Sequence, residues 1–158
     1  MNKLIGFLFI SLSILGSVSE KETLNVHSFS EVEKLHKITP KPVVVFIHTD
    51  WCKICYGMEK STFANRKIIK TLNESFYFVK LNGEEKKDIM FLGKTFAFKP
   101  TGNSTGTHEL AIELATINKR ISYPTTTILD KKFAIALQLE GFTNKDKMMS
   151  ILERAKQL

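Results

Sequence analysis

Blocks of apolar residues alternate with polar punctuation along this chain, and the period of each block predicts an element. Val43-Val44-Val45-Phe46-Ile47 is an unbroken β-branched and aromatic run, the pattern of a strand buried on both faces. Thr23 to His27 reads as a short strand before it, and Phe76 to Leu81 as the strand after it. Thr125 to Leu129, the turn Asp130-Lys131-Lys132 and Phe133 to Glu140 form a hairpin that Gly141 ends. Helical signals fall between the strands. Ser30-Glu31-Val32-Glu33 is a capping box that opens a helix to about Lys37, and Pro40-Lys41-Pro42 stops it. Another helix starts near Cys52, with Gly57 weakening it, and a further one covers Arg66 to Asn73. Thr143 caps a last helix, Asn144 to about Lys156, with Asp146 as the capping-box partner. Met148, Met149, Ile151, Leu152 and Ala155 supply its apolar face.

Residues 84–119 interrupt this order of strand and helix. Ile89-Met90-Phe91 and Thr95-Phe96-Ala97-Phe98 flank Leu92-Gly93-Lys94, which predicts a small hairpin. Pro100 to Gly106 is a loop, and Thr107 caps a helix from His108 to about Asn118 with Leu110, Ile112, Leu114 and Ala115 partly buried. Loops this long without structure are uncommon in compact domains, so the segment is an elaboration with packing or partner-selecting work to do.

The first residues have a different character. Met1-Asn2-Lys3 is short and basic, Leu4 to Leu15 is almost wholly apolar, and Gly16-Ser17-Val18-Ser19 places small residues at the −3 and −1 positions of a cut after Ser19. That is the layout of a secretory signal peptide over residues 1–19, and the apolar run is shorter than the roughly 20 residues of a spanning helix. The expected product begins at residue 20, is exported to the periplasm or the extracellular space, and keeps no stable membrane span. The full chain carries a net charge of +7, and loss of Lys3 with the leader lowers it by one. The lysines are scattered, with no arginine-rich tract, so no nucleic-acid partner is expected.

Two cysteines stand three apart in Trp51-Cys52-Lys53-Ile54-Cys55. A disulfide across two intervening residues closes too small a loop to remove much unfolded-chain entropy, which favours reactivity over stapling. A strand, a tight turn and Cys-x-x-Cys at a helix start expose the first thiol to free N–H groups that favour a thiolate. The second, one turn on, can attack the mixed disulfide that forms. Haem attachment is excluded because Tyr56, not histidine, follows Cys55. A metal site would need further ligands; the histidines at 27, 36, 48 and 108 make no repeated ligand spacing, and only His48 lies close in sequence. Metal binding and an inert staple stay open as alternatives.

Val43 to Cys55, Val79-Lys80-Leu81-Asn82, Tyr123-Pro124-Thr125 and Gly141 fall in the order seen in thioredoxin. The chain resembles the thioredoxin superfamily over most of residues 24–158. Its run Cys55 to Phe63 is similar to secreted or periplasmic thioredoxin-like proteins and to the C-terminal thioredoxin domain of DsbD-type thiol–disulfide interchange proteins. The resemblance implies an α/β thioredoxin fold over residues 20–158. Helices flank a central mixed β-sheet, and the hairpin-plus-helix insertion, about 84–119, precedes a cis-proline. It implies that Cys52 attacks and Cys55 resolves, as a redox-active pair flanked by Trp51, Lys53 and Ile54. Pro124 is then the cis-proline, and Tyr123 offers its backbone to an extended substrate.

It implies no cofactor and no metal. The expected partners are disulfide-bearing exported proteins and a dithiol electron donor. The expected activity is protein disulfide reduction or isomerisation, against a thioredoxin-fold binding or chaperone module and a copper-handling thiol protein. Two single positions and the Lys53-Ile54 pair depart from thioredoxin. Phe46 replaces its buried aspartate while Lys80, the usual partner, stays, and Lys60 replaces a proline. Without that acid, a water, Asp50 or Glu59 must take the proton of the resolving thiol.

Overall fold

The valine-rich run is the middle strand of the fold. The computed structural model describes residues 22–158, so the leader over 1–19 lies outside the described residues. In chain order the elements begin with β1 (Val26–His27), α1 (Phe29–Ile38), β2 (Val43–His48) and α2 (Lys53–Met58). A π-helical turn (Glu59–Phe63) continues α2 and leads to α3 (Arg66–Ser75) and β3 (Tyr77–Asn82). The inserted region supplies β4 (Ile89–Phe91), β5 (Lys94–Phe96), β6 (Phe98–Pro100), β7 (Gly106–His108), α4 (Glu109–Ala115), β8 (Thr116–Ile117) and β9 (Arg120–Ile121). The chain then closes with β10 (Thr125–Leu129), β11 (Ile135–Glu140) and α5 (Lys145–Ala155).

Five strands form one mixed sheet in the order β1-β3-β2-β10-β11. β2 runs parallel to β3, with Phe46 beside Lys80, and antiparallel to β10, with Phe46 beside Thr126. Alternate residues of β2 serve opposite faces. Val43, Val45 and Ile47 pack with Phe29 and Val32 of α1 and with Phe91, Phe96, Leu110 and Leu114 of the insertion. Val44 and Phe46 pack with Met58, Phe63, Ile68, Leu72, Met148 and Leu152 on the other side. The insertion is therefore part of one of the two cores, which is why Phe91 and Phe96 are buried.

Several boundaries differ from those the sequence predicts, and tertiary packing explains most of them. β1 is confined to two residues. α1 is capped by Ser28, not Ser30: its hydroxyl accepts from the Glu31 N–H, and the Glu31 carboxylate accepts from the Ser28 N–H at 2.7 Å. Starting two residues early puts Phe29 on the helix and against Phe91, with ring centroids 4.9 Å apart. Gly57 does not end α2, because Met58, Thr62 and Phe63 are all buried and carry the chain on as a π-helical turn. Asn144 rather than Thr143 caps α5, accepting from the Lys147 N–H. Thr143 is turned inward, where its carbonyl accepts from the Thr62 hydroxyl at 2.8 Å.

The inserted region holds three two-stranded ribbons where one hairpin was expected. Leu92 and Gly93 both have positive φ, 53° and 74°, and make a two-residue turn that ends β5 at Phe96. Ala97 then bonds to the start of α4: its N–H donates to the Glu109 carboxylate at 2.8 Å and its carbonyl accepts from the Glu109 N–H at 2.9 Å. That tie sends Phe98 into a second ribbon with β7. The α4 cap is His108, whose Nδ1 accepts from the Leu110 N–H, in place of Thr107. α4 stops at Ala115, not near Asn118, because Asn118 and Lys119 both take positive φ in the turn between β8 and β9. Ile112 is on its exposed face, unlike Leu110, Leu114 and Ala115.

Phe91 touches Phe29 and Phe133 from the insertion's side. Phe91→Ala is expected to cost about 3–5 kcal/mol, read as a lower urea midpoint at unchanged slope. A loss below about 1 kcal/mol would show that the insertion lies on the core without stabilising it.

Candidate active site

β2 ends at His48, and the turn over 49–51 delivers Cys52 to the start of α2. The Cys52 N–H closes that turn on the Thr49 carbonyl at 3.2 Å. Cys52 is the N-cap of α2, and its sulfur accepts from the Cys55 N–H at 3.1 Å. The two sulfurs are joined as a disulfide. Cys52 retains 7% exposure against 1% for Cys55, so it is the more accessible of the two. Lys53 is exposed between them, and Ile54, Trp51 and Tyr56 present large apolar surfaces to solvent at 59%, 65% and 64% exposure.

Tyr123 and Pro124 arrive at the same place from the other end of the chain. The peptide bond between them is cis. The Tyr123 ring meets the Trp51 indole edge-on with centroids 6.1 Å apart. Its hydroxyl is buried over Gly83, where any Cβ would overlap the phenol, so this close approach requires glycine. Burial and the nearby Glu84 carboxylate push the Tyr123 phenol up from its ordinary value. The Pro124 carbonyl accepts from the Gly141 N–H at 2.8 Å, which brings the exposed Phe142 to the rim. Thr143, next in the chain, is held by Thr62 behind α2, so Phe142 is bracketed between the proline and the cysteine helix.

Glu84 is a site residue that the sequence does not disclose. Its carboxylate accepts from the Trp51 Nε1–H at 3.1 Å and fixes the indole beside Tyr123. The backbone around it is pinned on both sides. The Gly83 N–H donates to the His48 carbonyl at 2.7 Å, and the Gly83 carbonyl accepts from the His108 N–H at 2.8 Å. Only the tertiary fold joins 51, 84 and 123, and no local motif could reveal the contact.

Below the disulfide, Phe46 is fully buried, with Phe63 on one side at 4.9 Å between centroids and His48 on the other at 5.8 Å. Lys80, its register neighbour, turns instead to Glu59 and bonds its carboxylate at 2.8 Å. This ion pair is partly exposed, at 35% for Lys80 and 29% for Glu59. Burial and Lys80 hold the His48 imidazole below its ordinary value, while Glu59 and Asp50 pull in the other direction. Lys60 lies over the Tyr56 ring, 5.3 Å from its centroid. Among the described residues, no three histidine, cysteine, aspartate or glutamate side chains group as a metal site.

Comparison with known proteins agrees with this architecture. A protein of Caenorhabditis elegans described as "Uncharacterized protein B0495.5" is 32% identical over 63 residues, which is 40% of this chain and 9% of that protein. The chain thus spans about a tenth of that relative's length. Among solved structures, a DsbH oxidoreductase superposes with a TM-score of 0.61 at 15% identity, covering 96% of each chain. A thioredoxin from Thermus thermophilus gives 0.58 at 16% identity, covering 84% of this chain and 86% of its own. The reduced C-terminal domain of Neisseria meningitidis DsbD gives 0.54 at 18% identity, covering 80% and 91%. At these identities the likeness is one of fold. The pattern that defines the thioredoxin-like domain matches residues 29–156. That fold with its Cys-x-x-Cys pair joined as a disulfide supports thiol–disulfide oxidoreduction as the general chemistry. The chain belongs to the thioredoxin-like domain family.

Proposed function

We propose that this protein is an exported disulfide reductase or isomerase that works through Cys52 and Cys55. The observation that carries the reading is the Cys52 sulfur at the start of α2, accepting a backbone N–H and more open than its partner. A hydrogen bond to the charged form favours a thiolate, the nucleophilic state. In the reduced protein, the Cys52 thiolate attacks one sulfur of a substrate disulfide and the other sulfur leaves as a thiolate. Cys55 then loses its proton and attacks the Cys52 sulfur. The 52–55 bond forms, the remaining substrate sulfur leaves, and two electrons have passed to the substrate. A dithiol donor reverses this on the protein.

Trp51, Ile54, Tyr56 and Phe142 support a protein segment as substrate, since a small disulfide needs no such surface. Tyr123 and Pro124 are the positions at which that segment lies alongside the site. Export rests on the basic start, apolar run and small-residue end of residues 1–19. No helix among the described residues is long and apolar enough to cross a membrane. The exposed apolar rim also favours a second reading, a chaperone module in which the cysteines are incidental. That reading requires function to survive replacement of both cysteines.

Cys55→Ser is expected to trap mixed disulfides with partner proteins, while Cys52→Ser traps none, as read on non-reducing gels. Equal trapping by the two variants would contradict the assigned roles. Mass spectrometry of the mature protein is expected to show a chain starting near Glu20. An intact product that keeps residues 1–19 and stays inside the cell would sink the export proposal.

A further inference from the structure

An acceptor for N-linked sugar reads asparagine, any residue but proline, then serine or threonine. The chain contains that pattern at Asn73-Glu74-Ser75 and at Asn103-Ser104-Thr105. We infer that Asn103, and not Asn73, is an N-glycosylation site that takes an oligosaccharide from a lipid-diphosphate donor. This inference rests on the export reading above and narrows it, to a route whose lumen transfers sugar to asparagine.

The fold treats the two asparagines in opposite ways. Asn73 lies in the last turn of α3 and is half-buried. Its Oδ1 accepts from the Asn25 N–H at 2.9 Å. Its Nδ2 donates to the Thr23 carbonyl at 2.9 Å and to the Glu22 carboxylate at 3.2 Å. A carboxamide nitrogen has two protons, and here both are in use. A sugar on this nitrogen would replace one of them and push aside the segment 22–25. That segment leads into β1 and carries Leu24, which packs against the cluster around the cysteines.

Asn103 stands instead at the tip of the ribbon formed by β6 and β7, where residues 101–105 are all exposed. The hydrogen bonds that shape this tip join Thr101 to Thr105. The Thr101 N–H donates to the Thr105 carbonyl at 2.9 Å, and the two hydroxyls are 3.4 Å apart. Asn103 is carried outward between them, as a bulky hydrophilic modification requires. At the other end of β7, His108 bonds Gly83 beside the cysteine site, so the sugar is held at the far end of the ribbon from Gly83.

In the transfer, the Asn103 carboxamide nitrogen attacks the anomeric carbon of the donor sugar. The nitrogen–carbon bond forms and the carbon–oxygen bond to the diphosphate breaks. The lipid diphosphate leaves with the bonding pair, and the amide gives up one proton. No oxidant or reductant takes part.

The test starts with the protein isolated from the cells that make it. Peptide N-glycosidase F in heavy-oxygen water turns each glycosylated asparagine into labelled aspartate. Peptide mass spectrometry is expected to find the label at 103 and none at 73. Variants of the full chain, leader included, are then made in a cell line that glycosylates its secreted proteins. Asn103→Gln and Thr105→Ala should each abolish the gel shift that the glycosidase causes. Thr105→Ser should keep it, and Asn73→Gln should leave it unchanged. A chain that starts near Glu20 and carries no sugar at Asn103, or carries sugar at Asn73, would overturn the proposal and leave export standing. Should a variant fail to fold and be secreted, the label in the unaltered protein decides. A chain that keeps residues 1–19 and stays inside the cell without sugar would bring down the export reading, and this inference with it.

Discussion

β2 is buried on both faces and hydrogen-bonded along both edges, and every element of the site is placed by where it stops. Its register against β10 sets the cis-proline, because Thr125 stands beside Ile47 and Pro124 immediately precedes it. Its register against β3 sets the loop that carries Gly83 and Glu84, because Asn82 stands beside His48. Its own chain continues through a single tight turn into Cys52. A one-residue slip of this strand would exchange its two core faces and move all three approaches at once. Five apolar side chains with no exposure make that slip prohibitive. Rigidity at the strand is what allows a two-residue spacing of cysteines to hold a fixed geometry.

The second organising feature is the aromatic side chain of Phe46, fully buried on the middle strand. A carboxylate in the interior costs several kcal/mol unless it is well paired, and Phe46 removes that cost while filling the space between Phe63 and His48. The lysine that remains finds Glu59, four residues beyond the resolving cysteine, and the pair is half exposed. A pair so placed contributes little to stability, on the order of 1 kcal/mol or less. Both charges act on the His48 imidazole: Lys80, after burial, lowers its pKa, and Glu59 opposes that shift.

Much of the architecture is legible in the chain because long apolar runs leave few choices. Val43 to Ile47, Thr125 to Leu129 and the face of α5 could pack in no other way and still bury their side chains. The cysteine motif is contiguous, so its flanks Trp51, Lys53 and Ile54 are visible without a fold. Caps and turns are harder. Ser28 and Ser30 are both good caps on local grounds, and burial of Phe29 decides between them. Thr143 and Asn144 pose the same choice, and the bond from Thr62 decides it. Nothing local predicts that a histidine nitrogen caps α4 or that Ala97 is drawn onto Glu109. Glu84 is hidden for the same reason: its partner is 33 residues away.

The insertion and the apolar rim carry the protein's individuality, while the two sulfurs carry its chemistry. In the proposed function, Cys52 and Cys55 form a dithiol that gives electrons to protein disulfides. The reduction potential of that pair, measured by equilibration with glutathione or dithiothreitol, tests it most directly. A value towards the reducing end of the thioredoxin-fold range is expected, nearer about −270 mV than about −120 mV. A potential close to about −120 mV would make the protein an oxidant and contradict the claim. So would a bond that stays oxidised throughout the accessible range, because an inert staple cannot turn over.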